Sequence, residues 1–189
     1  MVIICLGWGS LIWDPRELPV HGSWQRNGPL LPIEFARQSQ DDRITLVCVP
    51  GFPLVQSLWI RLKSITLDEA CEALRERENI SRKRIDQDIG VWVRDQLVDN
   101  GSYIATIAAW ATSLGFDAVI WTNLQPKFRG DDRRIPTIEE VLEHLTNLTE
   151  KKREKAEQYI RMTPRQIQTE YRVKIENVLK WLPDQNSFD

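Results

Sequence analysis

The chain has 189 residues, of which 42% are hydrophobic and 28% charged, and its net charge is −2. This length suffices for one folded domain with a full core, and the balanced charge makes nucleic acid an unfavourable partner. No apolar run approaches the ~20 residues that span a bilayer, and no charged segment precedes the first apolar run, so neither a membrane anchor nor a secretory signal is predicted. The cysteines Cys5, Cys48 and Cys71 stand among apolar residues, which favours reduced thiols and a cytoplasmic protein.

The chain begins with an apolar run rich in β-branched residues, and glycines follow it directly. The run Val2–Leu6 predicts a buried first strand. Gly7, Gly9 and Ser10 come next, and a turn of this composition can present successive backbone N–H groups as an anion-binding concavity. Two interpretations of the segment up to Ile12 stay open: it binds a negatively charged ligand, or it only turns the chain.

Three familiar loop signatures are absent from this segment. A dinucleotide fingerprint needs a third glycine where Ile12 stands, and a phosphate-binding P-loop needs Gly-Lys-Ser/Thr. A nucleophile elbow centred on Ser10 needs glycines at the positions of Trp8 and Ile12. A Ser-His triad has no local support either, because no histidine stands near Ser10.

Prolines and glycines then interrupt residues Asp14 to Pro32, which predicts an irregular connection. Asp41 and Asp42 predict a turn between the first two of the strands that follow, and residues 50–53 predict a hairpin-like connection before the third. Alternation along the first of these strands predicts that Glu34 faces outward. The three predicted strands are Ile33–Gln38, Ile44–Val49 and Val55–Lys63.

A capping box made by Thr66 and Glu69 predicts the start of a helix that runs to about Asn79. Its apolar face is formed by Leu67, Cys71 and Leu74.

Eleven residues after Leu67, Glu78 returns to this apolar face, so one carboxylate is predicted to point inward. Burial would raise the pKa of such a carboxylate and suit it to acid–base chemistry near neutral pH. The other interpretation is that Glu78 turns outward at the helix end and pairs with Arg75 or Arg82.

The second half of the chain predicts two more strands and several helices. The strands are Ile89–Val93 and Asp117–Thr122, with a helix at Tyr103–Leu114 that Gly115 ends. C-terminal helices extend from about residue 137 to 182, the first opened by a capping box of Thr137 and Glu140.

In the last of these helices, Thr163 is predicted as the N-cap, Pro164 as the first helical residue and Pro183 as the stop. An apolar stripe is predicted along it, formed by Ile167, Tyr171, Ile175, Val178 and Leu182.

Two of these features together resemble the γ-glutamyl cyclotransferase family. The turn after the first strand is similar to the family motif Tyr-Gly-Ser-(Asn/Leu)-Leu, and here reads Trp8, Gly9, Ser10, Leu11, Ile12. The helix end from Leu74 to Asn79 is similar to the segment that carries the family's catalytic glutamate, which corresponds to Glu78. The resemblance covers residues 2 to about 80.

The resemblance implies an α+β fold in which a mixed, partly closed, barrel-like sheet is flanked by helices in a single domain over residues 1–189. It implies a reaction without cofactor or metal, in which the α-amine of a γ-glutamyl compound attacks its own γ-carbonyl and releases 5-oxoproline and an amine. Glu78 would be the general acid and base, and backbone N–H groups of Gly9 to Ile12 would hold the substrate.

The chain also departs from the family pattern. Trp8 replaces the usual tyrosine, and the tyrosines that line the family's pocket have no assigned counterpart here. We therefore consider Trp8 and Trp121 as pocket residues, and Arg37 as a ligand for a substrate carboxylate or as a surface residue at a strand end.

A second function stays open: a non-catalytic protein of the same fold that binds a small ligand or docks a partner through its C-terminal helices. His21 and His144 stand far apart without a metal-ligand pattern, and Asp131 and Asp132 within the basic cluster of residues 129–134 favour a solvated loop. The expected partner is a small γ-glutamyl substrate, without nucleic acid or membrane, and a homodimer is left open.

Overall fold

The computed structural model describes residues 1–96 and 101–184. Residues 97–100, in a polar stretch for which no element is predicted, and 185–189 lie outside that description. Within it the strands are β1 (Ile3–Gly7), β2 (Val20–Gln25), β3 (Leu30–Leu31), β4 (Ile33–Gln38), β5 (Ile44–Cys48), β6 (Val55–Gln56), β7 (Leu58–Leu62), β8 (Ile89–Val93), β9 (Ala118–Thr122), β10 (Lys127–Phe128) and β11 (Asp131–Asp132). The helices are α1 (Leu67–Arg77), α2 (Ile85–Asp88), α3 (Ile104–Ser113), α4 (Ile138–Thr146), α5 (Glu150–Met162) and α6 (Glu170–Leu179), with a 3-10 turn at Arg82–Arg84.

These elements belong to two compact units. Unit 1 comprises residues 1–7, 14–31 and 56–124, and unit 2 comprises residues 8–13, 32–55 and 125 to the C-terminus. The short strands β3 and β6 lie where the chain passes from one unit to the other.

Unit 1 contains a five-stranded mixed sheet in the order β2-β7-β1-β9-β8. The central strand β1 is antiparallel to β7 and parallel to β9, and Cys5 lies opposite Ile60 on one side and Ile120 on the other. All five residues of β1 are buried. The first apolar run therefore forms the buried strand that its composition predicts.

Unit 2 contains a four-stranded sheet in the order β11-β10-β4-β5, with helices α4 to α6. Strands β4 and β5 are antiparallel, and the Asp42 N–H donates to the Ser39 carbonyl in the turn between them, as predicted. The capping box at Thr137 opens α4, whose Val141 and Leu145 are buried.

The segment from Asp14 to Pro32 is not irregular throughout, because it contains strand β2. This strand pairs antiparallel with β7, and His21, Gly22 and Ser23 within it are exposed. An exposed edge strand with a register shift shows no apolar alternation in its sequence, which is why the prediction was wrong.

The predicted hairpin between the second and third strands was also wrong. Strand β5 pairs with β4, whereas β7 pairs with β1 and β2. The predicted third strand is divided by Ser57, whose hydroxyl and N–H both donate to the Pro29 carbonyl, at 2.7 and 3.2 Å. These bonds turn a buried polar residue away from the ladder, so the strand splits into β6 and β7.

The last helix begins later than predicted. Thr163 is the C-cap of α5, and the N-cap of α6 is Thr169, whose hydroxyl accepts from the Arg172 N–H. The buried Arg172 guanidinium donates to the carbonyls of Thr163, Pro164 and Ile167. The Arg172 side chain therefore supplies donors to the carbonyls of this non-helical connection, and the Pro164 carbonyl accepts from the Ile167 N–H as well.

The apolar stripe predicted for this helix is correct only in part. Tyr171 and Ile175 are buried, Ile167 is buried in the connection before the helix, and Val178 and Leu182 are exposed.

Glu34 does not face outward, contrary to the alternation argument. Its carboxylate is buried and accepts from the Phe35 N–H (2.7 Å), the Thr169 hydroxyl (2.5 Å) and the Tyr171 N–H (3.1 Å). Burial raises the pKa of Glu34, and these three hydrogen bonds oppose the rise. The carboxyl group thus caps the N-terminus of α6 by accepting hydrogen bonds from the Thr169 hydroxyl and the Tyr171 N–H.

The mixed α+β class is confirmed, and the sheets are not fully closed. The assignment of residues 1–189 to a single domain stays a prediction. Among the residues just described, no helix combines the length and the apolar character needed to cross a membrane.

Candidate functional site

The end of helix α1 fixes the backbone of Glu78. Glu78 is the C-cap residue, and Asn79 after it adopts a left-handed conformation with φ of 54°. The Ile80 N–H donates to the Arg75 carbonyl and the Asn79 N–H to the Glu76 carbonyl, at 2.9 and 3.1 Å. These two bonds form a complete Schellman motif, so Asn79 provides the left-handed residue that glycine more often supplies.

The Glu78 side chain is mostly enclosed and forms an ion pair. Its side chain is 18% exposed, and Oε1 accepts from Nη1 of Arg77 at 2.9 Å. Arg75 and Arg82, the partners considered from the sequence, both bind Glu72. Glu78 therefore does not turn outward to pair with Arg75 or Arg82; it is mostly enclosed and pairs with Arg77.

Arg77 is a residue whose importance the sequence did not indicate. Its side chain is 5% exposed, and its Nε and Nη2 donate to the Asp14 carbonyl at 3.0 and 2.7 Å. The guanidinium is thus held from one side by backbone and from the other by Glu78. No local pattern could reveal this, because Asp14 lies 63 residues earlier in the chain.

Strand β1 also lies close to this ion pair. Burial raises the pKa of the Cys5 thiol far above its usual range, the charge of Glu78 raises it further, and Arg77 lowers it. Cys5 and Asp14 of unit 1 therefore both interact with residues at the end of α1.

Residues 8–13, which we name the glycine loop, form a tight turn in unit 2. The Ile12 N–H donates to the Gly9 carbonyl at 3.0 Å, and Trp8, Leu11 and Ile12 are buried. Ser10 is half-buried.

Tyr159 of helix α5 packs against this loop. A Cβ atom built on Gly9 would lie 2.5 Å from Tyr159 Oη, so any larger residue at this position requires the Tyr159 side chain to move. The Tyr159 ring makes an edge contact with Trp13, at 5.4 Å between centroids, and its Oη accepts from the Leu46 N–H at 3.3 Å. Tyr159 is one of the tyrosines for which the sequence gave no assignment to the family's pocket positions.

The remaining candidate residues lie in different surroundings. Arg37, at the end of β4, is half-buried, and its Nη1 donates to the Gln125 carbonyl at 2.6 Å. Trp121 of β9 is buried in unit 1, where its indole packs so closely on Gly90 that no side chain fits there. The roles of both residues at a substrate site stay predictions.

No cluster of three or more His, Cys, Asp or Glu side chains in residues 1–96 and 101–184 could hold a metal ion. His144 instead contacts the Asp42 carbonyl through Nε2 at 2.7 Å. All three cysteines are free thiols.

The strand order and the helices define a mixed α+β protein with incompletely closed sheets. Among solved structures, the chain is similar to the crystal structure of a γ-glutamyl cyclotransferase specific to glutathione from yeast, with a TM-score of 0.52 and 15% sequence identity. The alignment covers 96% of this chain and 99% of the yeast chain. No model of a known protein family matches the sequence, and no curated protein matches it either. The likeness therefore shows a γ-glutamyl cyclotransferase-like fold.

Proposed function

We propose that the protein is a γ-glutamyl cyclotransferase-like enzyme that releases 5-oxoproline from a γ-glutamyl amine or peptide. The α-amine of the substrate attacks its own γ-carbonyl, a five-membered ring closes, and the bond to the leaving amine breaks. Because both reacting groups belong to one molecule, holding the substrate in a bent conformation supplies much of the catalysis. The reaction consumes no cofactor or metal ion.

Glu78 is the general base and acid of this proposal. It takes a proton from the attacking α-ammonium and delivers a proton to the leaving amine, so it ends the cycle in its starting state. The observation that carries the proposal is the Schellman motif, which holds a largely enclosed carboxylate at a fixed position on the end of α1.

The glycine loop is the proposed substrate-binding element. Backbone N–H groups of Gly9, Ser10 and Leu11 hold the carboxylate of the γ-glutamyl group, since such turns favour anions. The Ile12 N–H, which the sequence also suggested, already donates to the Gly9 carbonyl. The tight turn at Gly9 supports this role.

One observation favours the second function, a non-catalytic protein that binds a small amino-acid-like ligand. Oε1 of Glu78 already accepts a hydrogen bond from Arg77, which is itself fixed by Asp14. A carboxylate committed to an ion pair of this kind can hold the helix end in place without acting on a substrate.

Release of 5-oxoproline from a panel of γ-glutamyl compounds, beginning with glutathione, tests the two functions. Glu78→Gln keeps the shape of the side chain and removes the base, so we expect a loss of at least about 100-fold in kcat. Glu76→Gln is the matched control, because Glu76 lies on the same helix end but its side chain is 62% exposed. Product from the wild type and the control only would establish the chemistry.

A folded wild type that releases no 5-oxoproline from any compound would contradict the enzymatic proposal. Calorimetric titration with the same compounds would then test the binding function, and binding without turnover would support it.

A further inference from the structure

A cationic side chain lies beside the glycine loop, across the ring of Tyr159. The Tyr159 Oη touches Gly9, and the Arg43 guanidinium carbon lies 5.4 Å from the centroid of the same ring. Trp13 of the loop packs on this ring too. Arg43, Tyr159 and the loop therefore form one continuous cluster within unit 2.

Arg43 is held along one edge and open along the other. Its Nε donates to Asp41 Oδ1 at 2.9 Å, and the Ser39 hydroxyl fixes the same oxygen at 2.6 Å. Burial raises the pKa of Asp41, but the hydrogen bonds from Ser39 and Arg43 outweigh it and keep this pKa below its ordinary value. Asp41 thus orients the guanidinium through a charge-assisted hydrogen bond.

The two Nη groups of Arg43 have no hydrogen-bond partner in the part of the chain that the structure describes, and the side chain is 32% exposed. A planar guanidinium with both Nη groups available is suited to bidentate binding of a carboxylate. Its stacking on an aromatic ring restricts its motion further.

We propose that Arg43 binds the carboxylate of the leaving amino acid, so that the protein prefers γ-glutamyl peptides to γ-glutamyl amides of neutral amines. This inference rests on the proposed function. A γ-glutamyl peptide carries one carboxylate on the γ-glutamyl group and another on the leaving amino acid. The glycine loop is assigned to the first, and Arg43, which lies over the Tyr159 ring that approaches Gly9, is assigned to the second.

The test compares two substrates that differ only in this carboxylate, γ-glutamylglycine and γ-glutamylglycinamide. We expect wild-type kcat/KM to be about 10- to 100-fold higher for the peptide, as for a charge-assisted hydrogen bond. Arg43→Gln abolishes this preference by slowing the peptide alone, and Arg43→Lys keeps part of it. Arg153→Gln is the control, since this arginine also lies over an aromatic ring, that of Trp181.

Different results would refute the role of Arg43 and the proposed enzymatic function. Equal wild-type rates for both substrates, or equal slowing of both by Arg43→Gln, would overturn the role of Arg43 while 5-oxoproline release still stands. If neither substrate is turned over, calorimetry with the same two compounds decides. Tighter binding of the peptide that Arg43→Gln removes would support the inference, and equal or absent binding would overturn it.

Discussion

Gly9 offers a direct test of how closely Tyr159 packs on the glycine loop. In the Gly9→Ala variant the new Cβ would meet Tyr159 Oη at 2.5 Å and Cζ at 3.5 Å. The ring cannot withdraw easily, because it is buried between Trp13 and Phe35 and its Oη accepts from the Leu46 N–H. Steric overpacking of this kind costs about 1–3 kcal/mol in free energy of unfolding.

A smaller effect opposes this cost. Gly9 does not have a positive φ angle, so alanine can adopt its backbone conformation. Alanine also restricts the backbone of the unfolded chain, which raises the free energy of unfolding by about 0.4–1 kcal/mol. We therefore expect Gly9→Ala to lower the free energy of unfolding by about 1–2 kcal/mol. For a chain of this size the melting temperature should fall by about 2–8 °C.

A double-mutant cycle with Tyr159→Phe identifies the cause. Removal of Oη leaves Cζ as the nearest atom, at an ordinary contact distance of 3.5 Å. Tyr159→Phe alone should cost about 1 kcal/mol, because the Leu46 N–H loses its acceptor. Gly9→Ala should then cost almost nothing in the Tyr159→Phe background, as measured by urea unfolding.

Tyr171→Phe supplies the control background, because the Tyr171 hydroxyl donates to the Pro136 carbonyl and not to the loop. Gly9→Ala should keep its full cost there. If the costs of Gly9→Ala and Tyr159→Phe simply add, within about 0.5 kcal/mol, the hydroxyl does not limit the space at Gly9 and the reasoning fails.

Two further predictions concern charge and backbone. Because burial raises the pKa of Glu34, its stabilising contribution is largest below the pKa of the unfolded chain and is lost as pH rises through the folded value. The free energy of unfolding of the wild type should therefore rise relative to that of Glu34→Gln as pH is lowered from neutral toward the ordinary pKa of a glutamate, and a constant difference in urea titrations would refute this. At Asn79 the left-handed conformation predicts that Asn79→Ala lowers the free energy of unfolding by about 1 kcal/mol and that Asn79→Gly does not; equal melting temperatures for the two variants would contradict it.

Signals confined to a few neighbouring residues predicted the local structure well. The capping boxes at Thr66 and Thr137 and the left-handed Gly115 all lie where the sequence placed them, because every partner involved is within four residues. The first buried strand was equally clear, since its composition alone distinguishes it.

The errors have a common physical cause, which is dependence on residues far away in the chain. Glu34 is buried because Thr169 and Tyr171, more than 130 residues later, supply hydrogen-bond donors. Thr163 fails to cap α6 because Arg172 satisfies the carbonyls of the connection instead. Neither the alternating pattern around Glu34 nor the Thr-Pro pair at Thr163 indicates these distant partners.

The candidate site was predictable to a similar degree. The position of Glu78 on the helix end follows from periodicity, and the turn at Gly9 follows from its glycine. Arg77 and Tyr159 could not be assigned to the site from the sequence. Arg77 contacts the Asp14 carbonyl and Tyr159 contacts Gly9, and both contacts form only in the folded chain.

The position of β1 in its sheet has a consequence during synthesis of the chain. This strand leaves the ribosome before its two neighbours, β7 and β9, which follow about 50 and 110 residues later. Until β9 emerges, one edge of an apolar strand has no partner in the nascent sheet, and such edges promote association between chains. Growing chains that stall before residue 118 should therefore be the species most prone to aggregate and most dependent on chaperones.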